Sequence, residues 1–296
     1  MGDDTVTTAE EKPELDAPLL SERYQPLQLL ARGGAALVYR GRDEILKRDV
    51  AIKLFAAGDK ANMDQFRDEV RVLASLNHHG VVSISDVGID RSSPDDIRPF
   101  LVMEFVHGST VRRTVAEREL SAREIAEIGF EVAEALEYVH SRGVIHRDIS
   151  PANIMLTDYG TASSRVRARL TDFGIAIKAD TVSDADAATL GTAAYLSPEQ
   201  TFNEQLTPAT DIYSLGLVML ECFTRTRAFP GNAMDSALLR RSEDPPIPAS
   251  VPEPWAGLIG RMTRRDAAQR PSATQLLRDI RAGLRASTPP VADDRG

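Results

Sequence analysis

The sequence predicts an α+β fold in two lobes, a small β-rich lobe followed by a larger helical one. Two observations carry this reading. From Tyr24 to about Phe105 the apolar residues come in short runs bounded by turn residues, with one stretch at helical spacing. After Gly108 they recur at helical spacing, first in a long stripe and then in four further segments. The 296 residues suit one large domain or two closely joined lobes, and a 42% apolar content is enough to bury a core.

Taken in order, residues 1–22 are rich in Asp, Glu, Thr and Pro without periodicity and read as a disordered acidic leader. Leu37-Val38-Tyr39 and Val50-Ala51-Ile52-Lys53-Leu54 are β-type runs. Met63, Phe66, Val70 and Leu73 mark a helix, and two more strands are expected around Val81–Val87 and Phe100–Phe105. The small lobe then spans 23–106. In the large lobe, 107–283, Ile125, Ile128, Val132, Leu136 and Val139 form the long stripe. Further helices are predicted at Asp211–Phe223, Ala233–Arg241, Pro254–Thr263 and Ser272–Leu284, and 284–296 reads as a disordered tail. Two such lobes leave a cleft, a usual place for a ligand.

Composition excludes several classes of function. A net charge of −9 argues against a nucleic-acid binder or an anionic-membrane binder, which present basic surface. The single cysteine, Cys222, allows no disulfide within the chain and reads as a small buried hydrophobe on an apolar helix. No apolar run approaches the roughly 20 residues that span a bilayer, and the acidic start lacks a signal-peptide pattern. A cytoplasmic location is the expectation. Histidines 78, 79, 107, 140 and 146 have no metal-ligand spacing of the H-E-x-x-H kind, and no structural metal is assigned.

The chemistry is concentrated in three ordered motifs. His146-Arg147-Asp148-Ile149-Ser150-Pro151-Ala152-Asn153 is followed, 19 residues after Asn153, by Asp172-Phe173-Gly174, and then by Ser197-Pro198-Glu199. Phosphoryl transfer needs a carboxylate to accept the attacking hydroxyl's proton and oxygen ligands to hold Mg²⁺ on the nucleotide phosphates. Asp148 fits the first need; Asn153 and Asp172 fit the second. Each motif alone is common by chance, whereas the ordered set is specific.

Over about residues 23–283 the chain resembles the eukaryotic-type (Hanks-type) serine/threonine protein kinases of bacteria, and with them a protein-kinase-like bilobal fold. The resemblance implies ATP and Mg²⁺ as cofactors, with Mn²⁺ as a substitute, and proteins with Ser or Thr acceptors as substrates. Val50-Ala51-Ile52-Lys53 matches the V-A-I-K strand, so Lys53 would bind the α and β phosphates and pair with Glu69. Asp68 is the wrong neighbour, being turned about 100° away on the same helix. The glycine-rich loop falls on Ala31, Gly33, Gly34 and Val38, and of the family's three glycines only the middle one, Gly33, is kept. Val38 and Ala51 would roof the adenine pocket, Met155 would floor it, and Met103 would be the gatekeeper. Glu104 and Val106 would bond adenine through their backbones.

Ser150 stands where the family usually has lysine, removing a charge that would touch the γ-phosphate. Gly191–Glu199 resembles the substrate loop, with Thr192 bonding Asp148. Glu199 would pair with Arg270, and Asp211 would anchor the catalytic loop. Thr181, Ser183, Thr189 and Thr192 are candidate phosphorylation sites. Asp184 and Asp186 occupy the two places where bacterial relatives carry phosphothreonines, with Arg147 as the cation they would meet. A homodimer through the small lobe is carried over from those relatives. The lost glycines and Ser150 speak for a pseudokinase, a nucleotide-binding or docking module. The complete set of Lys53, Glu69, Asp148, Asn153 and Asp172 speaks for an active enzyme. A small-molecule phosphotransferase is disfavoured by the Ser197-Pro198-Glu199 segment and its arginine.

Overall fold

Five strands form an antiparallel sheet. A computed structural model describes residues 17–33, 36–56, 66, 70–91, 97–158, 166–173, 193–231 and 233–286. The strands are β1 (Tyr24–Arg32), β2 (Ala36–Asp43), β3 (Arg48–Phe55), β4 (Ile84–Asp90) and β5 (Arg98–Glu104), in the spatial order β1-β2-β3-β5-β4. Val50, Ile52 and Leu54 of β3 turn to one face and form a core with Leu20, Tyr24, Phe100 and Val102. Ala51 and Lys53 therefore turn to the other face, since successive side chains alternate across a strand. This unit draws on Met1–Asp64 and Ile84–Phe105.

A buried carboxylate closes the β2–β3 turn. Asp43 is fully buried and accepts hydrogen bonds from the Ile45 and Leu46 backbone N–H groups, at 3.1 and 3.0 Å. Arg23 grips the same carboxylate with two N–H groups, at 3.0 and 2.7 Å. The Arg23 hydrogen bonds, helped by those backbone donors, hold the Asp43 carboxyl at about 2 against an ordinary 3.8.

The second unit, drawn from Gln65–Ser83 and Val106–Gly296, is mainly helical. It contains α1 (Val111–Glu117), α2 (Ala122–Ser141), α3 (Pro198–Thr201), α4 (Pro208–Thr224), α5 (Ala233–Ser242), α6 (Trp255–Met262) and α7 (Ala273–Ala286). A small sheet joins them, ordered β6 (Ser109–Thr110), β7 (Ile154–Thr157), β8 (Arg167–Leu170). Ser121 opens α2 with a reciprocal cap, its hydroxyl accepting from the Glu124 N–H while the Glu124 carboxylate accepts from the Ser121 N–H. The stripe Ile125, Ile128, Val132, Leu136 and Val139 is buried, as the spacing predicts. Helix α4 is apolar nearly all round and buried along most of its length, including Cys222, whose thiol burial pushes up to about 12. Among the described residues no helix is long and apolar enough to cross a membrane.

Several boundaries differ from the sequence expectation. Leu20 belongs to the strand core, inside the stretch read as a leader, and α7 runs to Ala286, past the expected end at 283. Val81 and Val82 do not open β4. They are captured instead by β8, with the Val82 N–H donating to the Leu170 carbonyl at 2.8 Å. The helix expected inside the small lobe is helical at Phe66 and through 70–74, but groups with the helical unit, where Leu73 and Leu76 join the core.

Candidate active site

The catalytic loop leads into β7, and β8 leads out to Asp172, so antiparallel pairing of two short strands brings the two motifs together. The pairing continues past the strands, with the Thr171 N–H donating to the Asn153 carbonyl at 3.0 Å. His146, fully buried, stacks its ring against Phe173 with centroids 4.4 Å apart, and its Nε2 lies 3.1 Å from the Thr171 carbonyl oxygen. The two motifs thus meet ring to ring.

Asp148 and Asn153 form one polar unit. The Asn153 Nδ2 donates to the Asp148 carbonyl at 2.9 Å and to Asp148 Oδ2 at 2.8 Å. With both amide N–H groups so used, the amide oxygen of Asn153 is the atom suited to ligate a cation. Asp172 supplies a carboxylate nearby in the chain. Amide and carboxylate oxygens are hard donors, which fit Mg²⁺ or Mn²⁺ rather than a soft metal.

Two non-glycine residues here adopt a left-handed backbone, Arg147 at φ +69° and Asp172 at φ +57°. Such backbone is uncommon and needs support. Arg147 has that support at both ends of its peptide dipoles. Its N–H donates to Asp211 Oδ1 at 2.8 Å, and its carbonyl accepts from Gln200 Nε2 at 2.8 Å. The buried Asp211 also accepts from the His146 N–H at 2.9 Å and lies 2.8 Å from His140 Nε2. The anchoring role expected of Asp211 is thus visible in two backbone bonds.

Ser150 is fully buried, and its hydroxyl has no hydrogen-bond partner among the described residues. Lys53, in the strand unit, shares its sheet face with the residues expected to line an adenine pocket. Val38 pairs with Lys53 across β2–β3, and Met103 pairs with Ala51 across β3–β5. The Lys53 ammonium lies 5.5 Å from the centre of the Phe55 ring. Glu104 ends β5, Val106 falls in the helical unit, and Met155 lies on β7 opposite Thr110. Ala31 is exposed on β1, and the Gly33 N–H donates to the Ala36 carbonyl at 2.9 Å. Among the described residues a side chain at Gly33 would meet that carbonyl oxygen alone, at 3.5 Å, so their packing does not demand glycine there. Gly34, Glu69, Gly174, Thr181, Ser183, Asp184, Asp186, Thr189 and Thr192 lie outside the described residues.

After the catalytic loop, Ser197 caps α3, and Glu199 meets Arg270 through two bonds of 2.7 and 2.9 Å, as the motif predicts. Both residues are buried. Burial pushes the Glu199 carboxyl up, but the Arg270 hydrogen bonds and charge outweigh it and hold the group below the usual range. Three contacts escaped the sequence reading. Gln200 reaches the Arg147 carbonyl, Arg240 reaches the backbone at Ala193 and Leu196, and His78, His79 and Glu134 bring their donor atoms within 4.8 Å of one another. The last grouping joins a loop to α2, where His79 pairs with Glu134 at 3.1 Å, and no motif spacing reveals it.

Comparison with known proteins agrees with this geometry. A family model described as protein kinase domain matches residues 24–280. Serine/threonine-protein kinase PknB of Mycobacterium leprae is 37% identical over 239 residues, covering 79% of this chain and 37% of that protein. The Clostridium perfringens protein named Probable serine/threonine-protein kinase CPE1738 is 33% identical over 273 residues, 88% of this chain and 38% of its own length. PknA of Mycobacterium tuberculosis is 32% identical over 278 residues, 92% of this chain and 63% of its own length. The chain therefore spans less than two thirds of each of these relatives. With the motifs in their order, the paired strands that join them and a family match along almost the whole folded length, the chain belongs to the protein kinase family.

Proposed function

We propose that this chain is an ATP-dependent serine/threonine protein kinase that transfers the γ-phosphoryl group to Ser or Thr hydroxyls of proteins. The observation that carries the reading is the Asp148–Asn153 unit, held on a loop whose backbone is bonded to buried Asp211. A general base must be positioned before it can be effective, and this carboxylate is positioned through both its own oxygen and its backbone. Asp148 takes the proton of the acceptor hydroxyl as that oxygen attacks the γ-phosphorus. The bond from phosphorus to the bridging oxygen breaks, and ADP leaves. Asn153 and Asp172 would hold Mg²⁺, or Mn²⁺ in its place, which when bound offsets the phosphate charge.

Lys53 binds the α and β phosphates from β3, and Val38, Ala51 and Met103 on the same sheet face take the adenine side. At Gly33 the reason for glycine is close approach of backbone N–H groups to phosphate, since the packing of the described residues leaves room for a side chain. A reaction in the cytoplasm, where ATP is supplied, is part of the same reading. The test is transfer of labelled phosphate from ATP and Mg²⁺ to itself and to a Ser/Thr-containing protein, followed by identification of the phosphorylated amino acid. Asp148→Asn and Lys53→Met should each lose on the order of 100-fold or more while melting like the wild type. Wild-type rates in Asp148→Asn would overturn the assignment.

A further inference from the structure

Among the described residues Arg240 is the largest side chain buried almost completely, and it sits outside the three ordered motifs. It lies on α5 and spends its guanidinium on four acceptors. Nε donates to the Ser236 carbonyl at 3.0 Å and Nη2 to the Ser236 hydroxyl at 2.7 Å. Nη1 donates to two carbonyls outside the helix, Ala193 at 2.8 Å and Leu196 at 3.0 Å. Among the described residues no carboxylate pairs with it. A buried cation is costly unless its N–H groups are satisfied, and here backbone carbonyl dipoles satisfy it. A leucine or methionine would fill the same space without that cost, so the position reads as one that needs the N–H fork itself.

The fork closes the turn Ala193–Leu196 from one side, and α4 closes it from the other. Ser214 donates to the Tyr195 carbonyl at 2.8 Å, and the Tyr195 hydroxyl donates to Glu221 at 2.5 Å. Three of the four carbonyls in this irregular segment are thus held by side chains of two helices. Backbone that leaves a helix through a turn is seldom tied so fully unless its conformation is used. Glu199 and its Arg270 pair fix the segment's downstream end.

We propose that Arg240 is a positioning residue for the protein acceptor: its bonds to Ala193 and Leu196 set the backbone on which the acceptor chain rests, and leave nucleotide binding alone. The proposal rests on the protein kinase reading and on Ala193–Glu199 belonging to the substrate loop. Arg240→Met removes the fork at similar volume, Arg240→Lys keeps the charge with fewer donors, and Ser236→Ala removes only the Nη2 partner. The measurements are steady-state KM and kcat for a protein acceptor, KM for ATP, ATP hydrolysis without acceptor, thermal unfolding, and backbone hydrogen exchange through 193–200.

In Arg240→Met the acceptor KM should rise roughly tenfold or more, as expected when a reacting group is misplaced by about an ångström. ATP KM and acceptor-free hydrolysis should stay within about twofold, and exchange should quicken at 193–200. Arg240→Lys and Ser236→Ala should fall between this variant and wild type, and they decide the matter if Arg240→Met does not fold. Unchanged acceptor KM in the folded variants would overturn the proposal. So would a joint rise of both KM values with a lower melting temperature, the mark of a merely structural role. A wild-type chain that transfers no phosphate would instead defeat the kinase reading, and unchanged exchange at 193–200 would then defeat the Arg240 role separately.

Discussion

The catalytic loop and the Ala193–Leu196 segment are both irregular backbone held by one buried charge, and the charges are opposite. Asp211 accepts from the N–H groups of His146 and Arg147, while Arg240 donates to the carbonyls of Ala193 and Leu196. The sign follows from which end of the peptide dipole each loop turns inward. A carboxylate can only accept and a guanidinium can only donate, so neither residue could replace the other. The anchors also differ in company. Asp211 has His140 at 2.8 Å, whereas the acceptors of Arg240 among the described residues are neutral. Charge-assisted bonds to backbone are strong enough to hold a left-handed residue such as Arg147 in place.

The comparison is broken most directly at Asp211. Asp211→Ala strips an acceptor from two backbone N–H groups and from His140. It should cost about 5 kcal/mol of stability, at roughly 1–3 for each orphaned group, and lower transfer on the order of 100-fold. Urea unfolding and initial rates check this, and an intact rate would mean the loop holds itself.

Next in size is the Glu199–Arg270 pair, the other buried charge beside the substrate segment. Arg270→Met leaves the buried Glu199 carboxylate without its counter-charge, with the Thr210 hydroxyl still donating to it at 2.9 Å, and should cost about 3–5 kcal/mol, whereas the double variant Glu199→Leu/Arg270→Met should recover much of it. A double variant as unstable as the single would show that Arg270 matters through the carbonyls it holds at Ala209, Arg264 and Arg265.

The smallest effect is in acid and contrasts the two units. Glu199 has a folded pKa below its ordinary 4.5, so its contribution is full above that value and is lost as pH falls through the lower folded value. Asp43 in the strand unit behaves alike, losing its contribution between 3.8 and about 2. Melting temperature should be level above pH about 5 and fall below about 4. Asp43→Asn should flatten the lowest part of that fall, and an unchanged acid limb would exclude the Arg23–Asp43 clamp as its source.

How much was legible depends on distance along the chain. The stripe of α2 and the β-type run of β3 involve neighbours within four residues, and periodicity and residue chemistry suffice for them. Asp211, Glu199 and Arg270 were legible for another reason, since each sits in or beside a recurring motif. Arg240 had no such flag. Of the two adjacent arginines at the end of α5, Arg241 is exposed and Arg240 is buried, and residue type alone does not distinguish them. Val81 looked like strand because its residue type suits one, and the competing partner, Leu170, is 89 residues away.

By itself the sequence determined the α+β class, the helical stripes, the strand that carries Lys53 and the residues proposed for phosphoryl transfer. These depend on side-chain periodicity and on functional groups, which are local properties. The tertiary structure alone decided that Asp148 is gripped by Asn153, that Arg147 is held left-handed by Asp211 and Gln200, and that Arg240 closes the turn at Ala193. Those outcomes are competitions among buried donors and acceptors far apart in the chain, and a buried polar group takes whichever partner folding brings within reach.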